Sequence, residues 1–130
     1  MAPSAPVRIL LLAQDLLGES LALQLTRQQS DWEVSLRPDA LNGHPQIVIW
    51  SIDKLPSLSA LQREVLLLQE RWHPAPLLLL LPVSVEASRD QLLTLGAEGL
   101  LQNGDCAQLQ EAIDTLLQGG RTVRLQTVAP

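Results

Sequence analysis

The run Leu77-Leu78-Leu79-Leu80-Leu81 decides the fold of this chain, because it is wholly apolar and shows no polar alternation. A strand with one exposed face alternates apolar and polar residues, whereas a strand covered on both faces loses that alternation. The stretches Val7 to Ala13 and Ile47 to Ile52 are also apolar apart from Arg8 and Ser51. All three therefore predict buried strands of a parallel sheet with helices on both faces.

Two further strands complete the predicted sheet. Trp32 to Leu36 alternates apolar and polar residues, and Glu98 to Gln102 is a short segment late in the chain. We therefore expect five strands.

Segments with helical periodicity lie between these strands. Asp15 can cap a first helix that runs to about Gln29, and Ser59 with Gln62 is typical of a capping box that starts a second. Apolar residues recur along both segments, so each helix has one face for the sheet. These faces are Leu17, Leu21 and Leu25 in the first helix, and Leu58, Leu61, Val65, Leu68 and Trp72 in the second.

Two more helices are predicted in the second half of the chain. Ser84 opens a segment that Gly96 can close, and Asp105 opens the last helix, which Gly119 and Gly120 end. The apolar stripe of the last helix is formed by Leu109, Ala112, Ile113, Leu116 and Leu117.

The connection between the second and third strands is too short for a regular helix. Nine residues separate Leu36 from Gln46, and Pro38, Gly43 and Pro45 interrupt them. The predicted order is β-α-β-(loop)-β-α-β-α-β-α. This is a doubly wound, five-stranded α/β fold of flavodoxin type, whose second helix is short or missing.

We expect one domain, because 130 residues is a common size for a single domain. Residues 1–6 are predicted to form a flexible N-terminus, and residues 7–120 the folded domain. Residues 121–130 are polar, and we expect a tail or the start of a linker to an output domain.

Composition narrows the possible functions. The formal net charge is −5 and the 9 Lys and Arg residues are scattered singly, which disfavours direct binding to nucleic acid. No apolar run approaches the roughly 20 residues that a membrane span requires. The single cysteine, Cys106, allows no internal disulfide, which favours a cytoplasmic location.

Four stretches share a pattern with a known family. The most specific is Gly96-Ala97-Glu98-Gly99-Leu100-Leu101, with a Gly-Ala-acid-Gly motif before the fifth strand. The others are Val7-Arg8-Ile9-Leu10-Leu11-Leu12 before an Asp-capped helix, Pro45-Gln46-Ile47-Val48-Ile49-Trp50, and Ala75-Pro76 before the leucine run. Together they span nearly the whole chain and resemble the receiver domain of bacterial response regulators, particularly that of NarL-type transcription factors.

The resemblance implies a phosphorylation site that this chain has lost. A working receiver phosphorylates an Asp that ends the third strand, with Mg²⁺ held by that Asp and an acidic pair after the first strand. A hydroxyl after the fourth strand and a Lys after the fifth contact the phosphoryl group. The acidic pair corresponds to Ala13 and Gln14, the phosphoacceptor to Ser51, the hydroxyl to Leu81, the Lys to Asn103, and the aromatic switch residue to Leu100. Every position is changed, so we expect no catalytic residue and no cofactor.

Two nearby acids, Asp15 and Asp53, are candidates for a residual metal or phosphate site. Asp15 is alternatively a helix cap, and Asp53 alternatively begins a loop. Hard divalent cations need several converging oxygen ligands, and only these two candidates exist. We therefore expect no metal site.

Other reactive side chains have simpler explanations. His44 and His73 each precede a proline, with no Cys or carboxylate at ligand spacing, so exposed loop histidines are favoured over zinc ligands. Cys106 lies in the first turn of the last helix, where a redox sensor is conceivable and a half-buried, unreactive thiol is favoured.

The sequence favours a pseudo-receiver: a non-enzymatic, phosphorylation-independent module of signal transduction or transcription control that binds a protein partner or dimerises. The resemblance implies a bacterial protein, and degenerate receivers are frequent in cyanobacteria. One alternative is a pseudo-receiver that senses a quinone or another redox ligand. Another is a divergent flavodoxin-type enzyme or nucleotide-binding domain, against which the absence of a glycine-rich phosphate loop counts.

Leu16 and Leu23 indicate where a partner would dock. At about 100° per residue they point away from the inner face of the first helix. In receiver-like folds the first and last helices lie side by side, and NarL-type receivers can pair through that face. We call six residues the partner surface, with two leucines at its centre and a polar rim: Leu16, Leu23, Arg27, Gln108, Glu111 and Thr115.

Overall fold

The structure is a computed structural model that describes residues 7–13, 16–28, 32–37, 44–52, 57–81, 89–102 and 106–124, without the side chains of 16–19, 21, 28, 89 and 106. The strands are β1 (Val7–Leu12), β2 (Trp32–Ser35), β3 (Ile47–Ser51), β4 (Leu77–Leu81), β5 (Gly99–Gln102) and β6 (Thr122–Arg124). The helices are α1 (Leu16–Gln28), α2 (Leu58–Trp72), α3 (Arg89–Leu93) and α4 (Cys106–Leu117). No described helix is long and apolar enough to cross a membrane.

The six strands form one parallel sheet in the order β2-β1-β3-β4-β5-β6. The first five strands have the flavodoxin-type order, in which the chain winds outward in both directions from β1. The predicted fold class is therefore confirmed.

The predicted number of strands is wrong, because residues 122–124 belong to the sheet. β6 lies parallel to β5, with Gly99 opposite Thr122 and Leu100 opposite Val123. The backbone N–H of Thr122 donates to the carbonyl of Glu98 at 3.3 Å. A strand of three residues is too short for a periodic pattern, so the sequence predicts only a tail or a linker here. β6 pairs backbone groups of β5 that an edge strand would leave open.

The leucine run is uniform because its alternate side chains enter two different cores. Leu78 and Leu80 point toward α1 and α4, whereas Leu77, Leu79 and Leu81 point toward α2 and α3. The first core is completed by Ile9, Leu11, Leu25, Ile47, Ile49, Leu101, Leu109, Ala112, Ile113 and Leu116, and the second by Leu10, Val48, Leu61, Val65, Leu92, Leu95 and Leu100. Two apolar layers therefore hold the sheet between its helices.

Strand β2 alternates because only one of its faces enters a core. Trp32, Val34 and Leu36 pack into the core under α1 and α4, whereas Glu33 and Ser35 take the opposite face and remain partly exposed. The connection after β2 is the segment in which the sequence predicts a short or missing helix. Residues 38–43 of that connection lie outside the described residues, and residues 44–46 are not helical.

The N-cap of helix α2 lies two residues before the predicted cap. Ser57 is its N-cap, and its hydroxyl accepts a hydrogen bond from the Ala60 N–H at 3.3 Å. The predicted capping box of Ser59 and Gln62 is therefore wrong, since both residues lie inside the helix. The predicted inner face is confirmed, with two residues fully buried and three partly buried: Leu61, Val65, Leu58, Leu68 and Trp72.

Gly96 and Gly119 follow helices α3 and α4, as predicted, and each has a left-handed backbone conformation. Gly96 has φ +80° and Gly119 has φ +87°, a conformation that glycine adopts without a steric penalty. The predicted caps Asp15, Ser84 and Asp105 lie outside the described residues.

Candidate functional site

The ligand-binding edge of a doubly wound sheet is the one at which its parallel strands end. Ala13 directly follows β1, Ser51 ends β3, Leu81 ends β4 and Gln102 ends β5. These four strands are consecutive neighbours in the sheet. The structure therefore places three of the residues predicted to correspond to the receiver site, Ala13, Ser51 and Leu81, at one edge of the sheet.

The described side chains at this edge include no carboxylate. Ala13 offers a methyl group, and Ser51 a partly buried hydroxyl. Leu81 is 4% exposed and packs into the core beneath α2 and α3, while Gln102 is 7% exposed. Mg²⁺ binding and phosphoryl transfer depend on carboxylate oxygens, which none of these groups supplies.

Leu100, which the sequence predicts to correspond to the receiver switch residue, is buried in the core. Leu100 is 2% exposed and belongs to the same apolar cluster as Leu79 and Leu81. It has no polar group that could reach a phosphoryl group or exchange between core and solvent.

Other predicted site residues lie outside the described part: Gln14, Asp15, Asp53 and Asn103. Their assignments stay predictions. Over the described ranges, no cluster of three or more His, Cys, Asp or Glu side chains could hold a metal ion.

The two histidines have the exposed positions expected of them. His44 also contacts Trp72. Its Nε2 lies 3.0 Å from the carbonyl oxygen of Trp72, and its ring is 5.9 Å from the Trp72 ring. The guanidinium carbon of Arg71 lies 5.0 Å from the centre of that indole ring. His44 thus ties the segment before β3 to the end of α2.

The predicted partner surface is partly assembled. Helices α1 and α4 are in contact, as expected, and Leu23 is 61% exposed, the largest exposure of any large apolar side chain described. Arg27 and Glu111 are exposed, whereas Gln108 and Thr115 are partly buried. The side chain of Leu16 lies outside the described set.

Rim residues of the partner surface already have partners within the chain. The Glu111 carboxylate pairs with the Arg124 guanidinium at 3.1 Å, so α4 is linked to β6. The Thr115 hydroxyl donates to the carbonyl of Glu111 at 2.9 Å. This ion pair cannot be predicted from the sequence without β6, which the sequence does not predict.

A groove that the sequence does not predict lies at the opposite edge of the sheet. We call it the amino-edge groove; its walls are the segments before β3, β4 and β5 and the end of α4. Arg8 and Glu98 contribute its charged groups, and prolines form much of its wall: Pro45, Pro74 and Pro76. The Gly-Ala-Glu-Gly motif contains the acid of the groove, Glu98, but does not indicate a cavity.

No protein-family model matches the chain, and no curated protein matches it. Solved structures of response regulators share its fold. One is the response regulator ChrA of a heme-sensing two-component system, 18% identical, with a TM-score of 0.60 over 98% of this chain and 62% of that one. Another is a LuxR-family two-component response regulator from Aurantimonas sp. SI85-9A1, 20% identical, with a TM-score of 0.65 over 90% of this chain and 89% of that one.

These comparisons establish a receiver-like fold. The chain spans less than two thirds of the length of the ChrA structure. The expectation of a receiver-like, flavodoxin-type domain is therefore confirmed, while the NarL-type and cyanobacterial details stay predictions.

Proposed function

We propose that this chain is a receiver-like regulatory module that works without phosphorylation. It acts in signal transduction or transcription control by binding a protein partner or a second copy of itself. The observation that carries the proposal is the set of side chains at the carboxyl edge, where Ala13, Ser51 and Leu81 stand at the ends of neighbouring strands.

Each replacement removes a different part of phosphoryl transfer. Without a carboxylate at Ser51 there is no acyl phosphate to form, and without one at Ala13 a ligand for Mg²⁺ is lost. Leu81 removes the hydroxyl that would contact the phosphoryl group. A single replacement could be compensated, but three at adjacent positions leave the reaction without both its acceptor and its charge neutralisation.

The apolar replacements also stabilise one conformation. Leu81 and Leu100 lie in the core beneath α2 and α3, and a packed core resists rearrangement. A module with such a core presents the same surface whatever the level of phosphorylation signalling in the cell. Regulation then depends on the supply of the partner or on the concentration of the chain.

The proposed partner is a protein. The net charge of −5 and the scattered cations disfavour nucleic acid, and the exposed Leu23 on α1 gives an apolar centre for a protein contact. We propose no enzymatic activity and no cofactor for the carboxyl edge, and a cytoplasmic location.

The experiment is incubation with acetyl phosphate and Mg²⁺, followed by measurement of the intact mass. We expect the wild-type mass to stay unchanged, while a receiver with its acidic pair and phosphoacceptor Asp gains one phosphoryl group under the same conditions. The matched variant carries Ala13→Asp, Gln14→Asp and Ser51→Asp, which return the missing carboxylates. A base-labile gain of one phosphoryl group by the wild type would overturn the proposal.

A further inference from the structure

We propose that the amino-edge groove binds a small molecule that carries both a carboxylate and an ammonium group, such as a free amino acid. The groove lies at the opposite end of the strands from Ser51. This inference is independent of the proposed function, because it involves none of the residues at the carboxyl edge. Its basis is that two side chains of opposite charge, Arg8 and Glu98, line one groove, and that each is oriented by hydrogen bonds to other residues.

Arg8 supplies the positive side of the groove. Its Nε donates to the carbonyl of His44 at 2.8 Å, and its backbone N–H donates to the Gln46 side chain at 3.0 Å. The two terminal nitrogens of its guanidinium have no hydrogen-bond partner within the described ranges. A guanidinium held through Nε and free at its terminal nitrogens is suited to bind a carboxylate.

Glu98 supplies the negative side. Its Oε2 accepts from the Leu77 N–H at 2.8 Å, and the Gln69 amide lies 3.5 Å from both carboxylate oxygens. Gln69 is itself held by a 2.8 Å bond to the carbonyl of Gly96. A carboxylate can accept about four hydrogen bonds, so Glu98 is oriented and retains capacity for an ammonium group.

Arg8 and Glu98 do not neutralise one another. No salt bridge joins them, and the ion pair found among the described residues is that of Arg124 with Glu111. Both charges therefore remain available to a ligand. A molecule with one charge of each sign satisfies both at once, whereas a simple anion or cation leaves one unpaired.

The end of α4 strengthens the negative side. Leu116 and Leu117 line the groove, followed by Gly119 and Gly120. The carboxyl end of a helix carries partial negative charge, which favours a cation nearby. We therefore orient the ligand with its ammonium group toward Glu98 and the end of α4, and with its carboxylate toward Arg8.

Prolines make the groove rigid before binding. Pro45, Pro74 and Pro76 line it, and the fixed backbone of proline lowers the entropy that a loop loses when it closes on a ligand. The groove is open to solvent, so a small, weakly bound metabolite fits it better than a tightly enclosed cofactor.

The test is a titration of the ¹⁵N-labelled chain with free L-amino acids, followed by amide NMR shifts. We expect saturable shifts at Arg8, Leu77, Glu98 and Gly120 for at least one amino acid. The N-acetyl derivative and the methyl ester of that amino acid should each bind roughly tenfold more weakly, because each lacks one charge.

Two charge-removing variants test the residues. Arg8→Gln and Glu98→Gln should each lower the affinity by roughly tenfold or more, while Glu98→Gln keeps an oxygen for the Leu77 N–H. Arg63→Gln and Glu64→Gln, at exposed positions of α2, are the matched controls and should bind as the wild type does. The NMR spectrum of each variant reports whether it is folded.

Three results would overturn the inference. The first is no groove shift with any amino acid up to about 10 mM, where even a weak site would respond. The second is equal binding of the acetylated or esterified compounds. The third is unchanged affinity in a folded Arg8→Gln or Glu98→Gln variant.

Discussion

A Cβ atom added to Gly99 would lie 2.7 Å from Cδ1 of Leu78, closer than Cβ atoms approach in real proteins. It would also lie 2.9 Å from Cδ1 of Leu116 and 3.3 Å from Cγ2 of Thr122. At this point β4, α4 and β6 converge on β5. The second glycine of the Gly-Ala-Glu-Gly motif therefore has a packing role.

Gly99→Ala should destabilise the fold by about 1–3 kcal/mol, because the added methyl overpacks a buried position. The measurement is the free energy of unfolding in urea. Combined with Leu116→Ala, which makes room, the same change should cost less, so the two effects should not add. If Gly99→Ala were as stable as the wild type, the packing of Leu78 and Leu116 against Gly99 would not be tight.

The beginning of α2 offers a matched pair of serines. Ser57→Ala removes the hydroxyl that accepts from the Ala60 N–H and should cost about 0.5–1 kcal/mol. Ser59 is exposed in the first turn of the helix, so Ser59→Ala should change stability little. Urea denaturation of both variants checks the difference. A larger loss for Ser59→Ala would restore the capping box that the sequence suggested.

Leu23→Glu should weaken association without affecting folding. Leu23 is 61% exposed on α1, so a charge there costs the monomer little but is unfavourable in an apolar contact. Sedimentation, or capture of a known partner, should show the loss, with unchanged circular dichroism and melting temperature. Leu66→Glu, at a 54% exposed leucine of α2, is the matched control and should associate normally. A wild type that stays monomeric and partnerless argues against the surface.

Removal of residues 121–130 should destabilise the sheet by roughly 1–3 kcal/mol, because backbone groups of β5 lose their partners in β6. Amide hydrogen exchange in β5 should become faster. Arg124→Ala, which breaks only an exposed ion pair with Glu111, should change stability by at most about 0.5 kcal/mol. Equal stability of the shortened and full chains would mean that β6 adds nothing to the domain.

Glu98→Ala should cost about 1–3 kcal/mol, because the Leu77 N–H loses a partly buried acceptor. Glu98→Gln retains a side-chain oxygen and should cost less. Glu64→Ala, on the exposed face of α2, is the control and should be nearly neutral. These unfolding measurements separate the structural role of Glu98 from its proposed role in binding a ligand.

The candidate site could be predicted only where it coincides with strand ends. Ser51 directly follows one uninterrupted apolar run and Leu81 ends another, so their position at the carboxyl edge follows from the pattern of the chain. The amino-edge groove could not be found in this way. Arg8 and Glu98 are 90 residues apart, and ordinary charged residues carry no sequence signal of a shared cavity.

The parallel sheet, the two buried faces of the leucine run and the inner faces of α2 and α4 can be inferred from the amino-acid pattern alone, because periodicity and burial are local properties of a segment. The addition of residues 122–124 to the sheet and the ion pair of Glu111 with Arg124 are visible only in the folded chain. Such contacts depend on where distant segments end in space. A segment of three residues without an apolar pattern does not indicate which distant strand it will pair with.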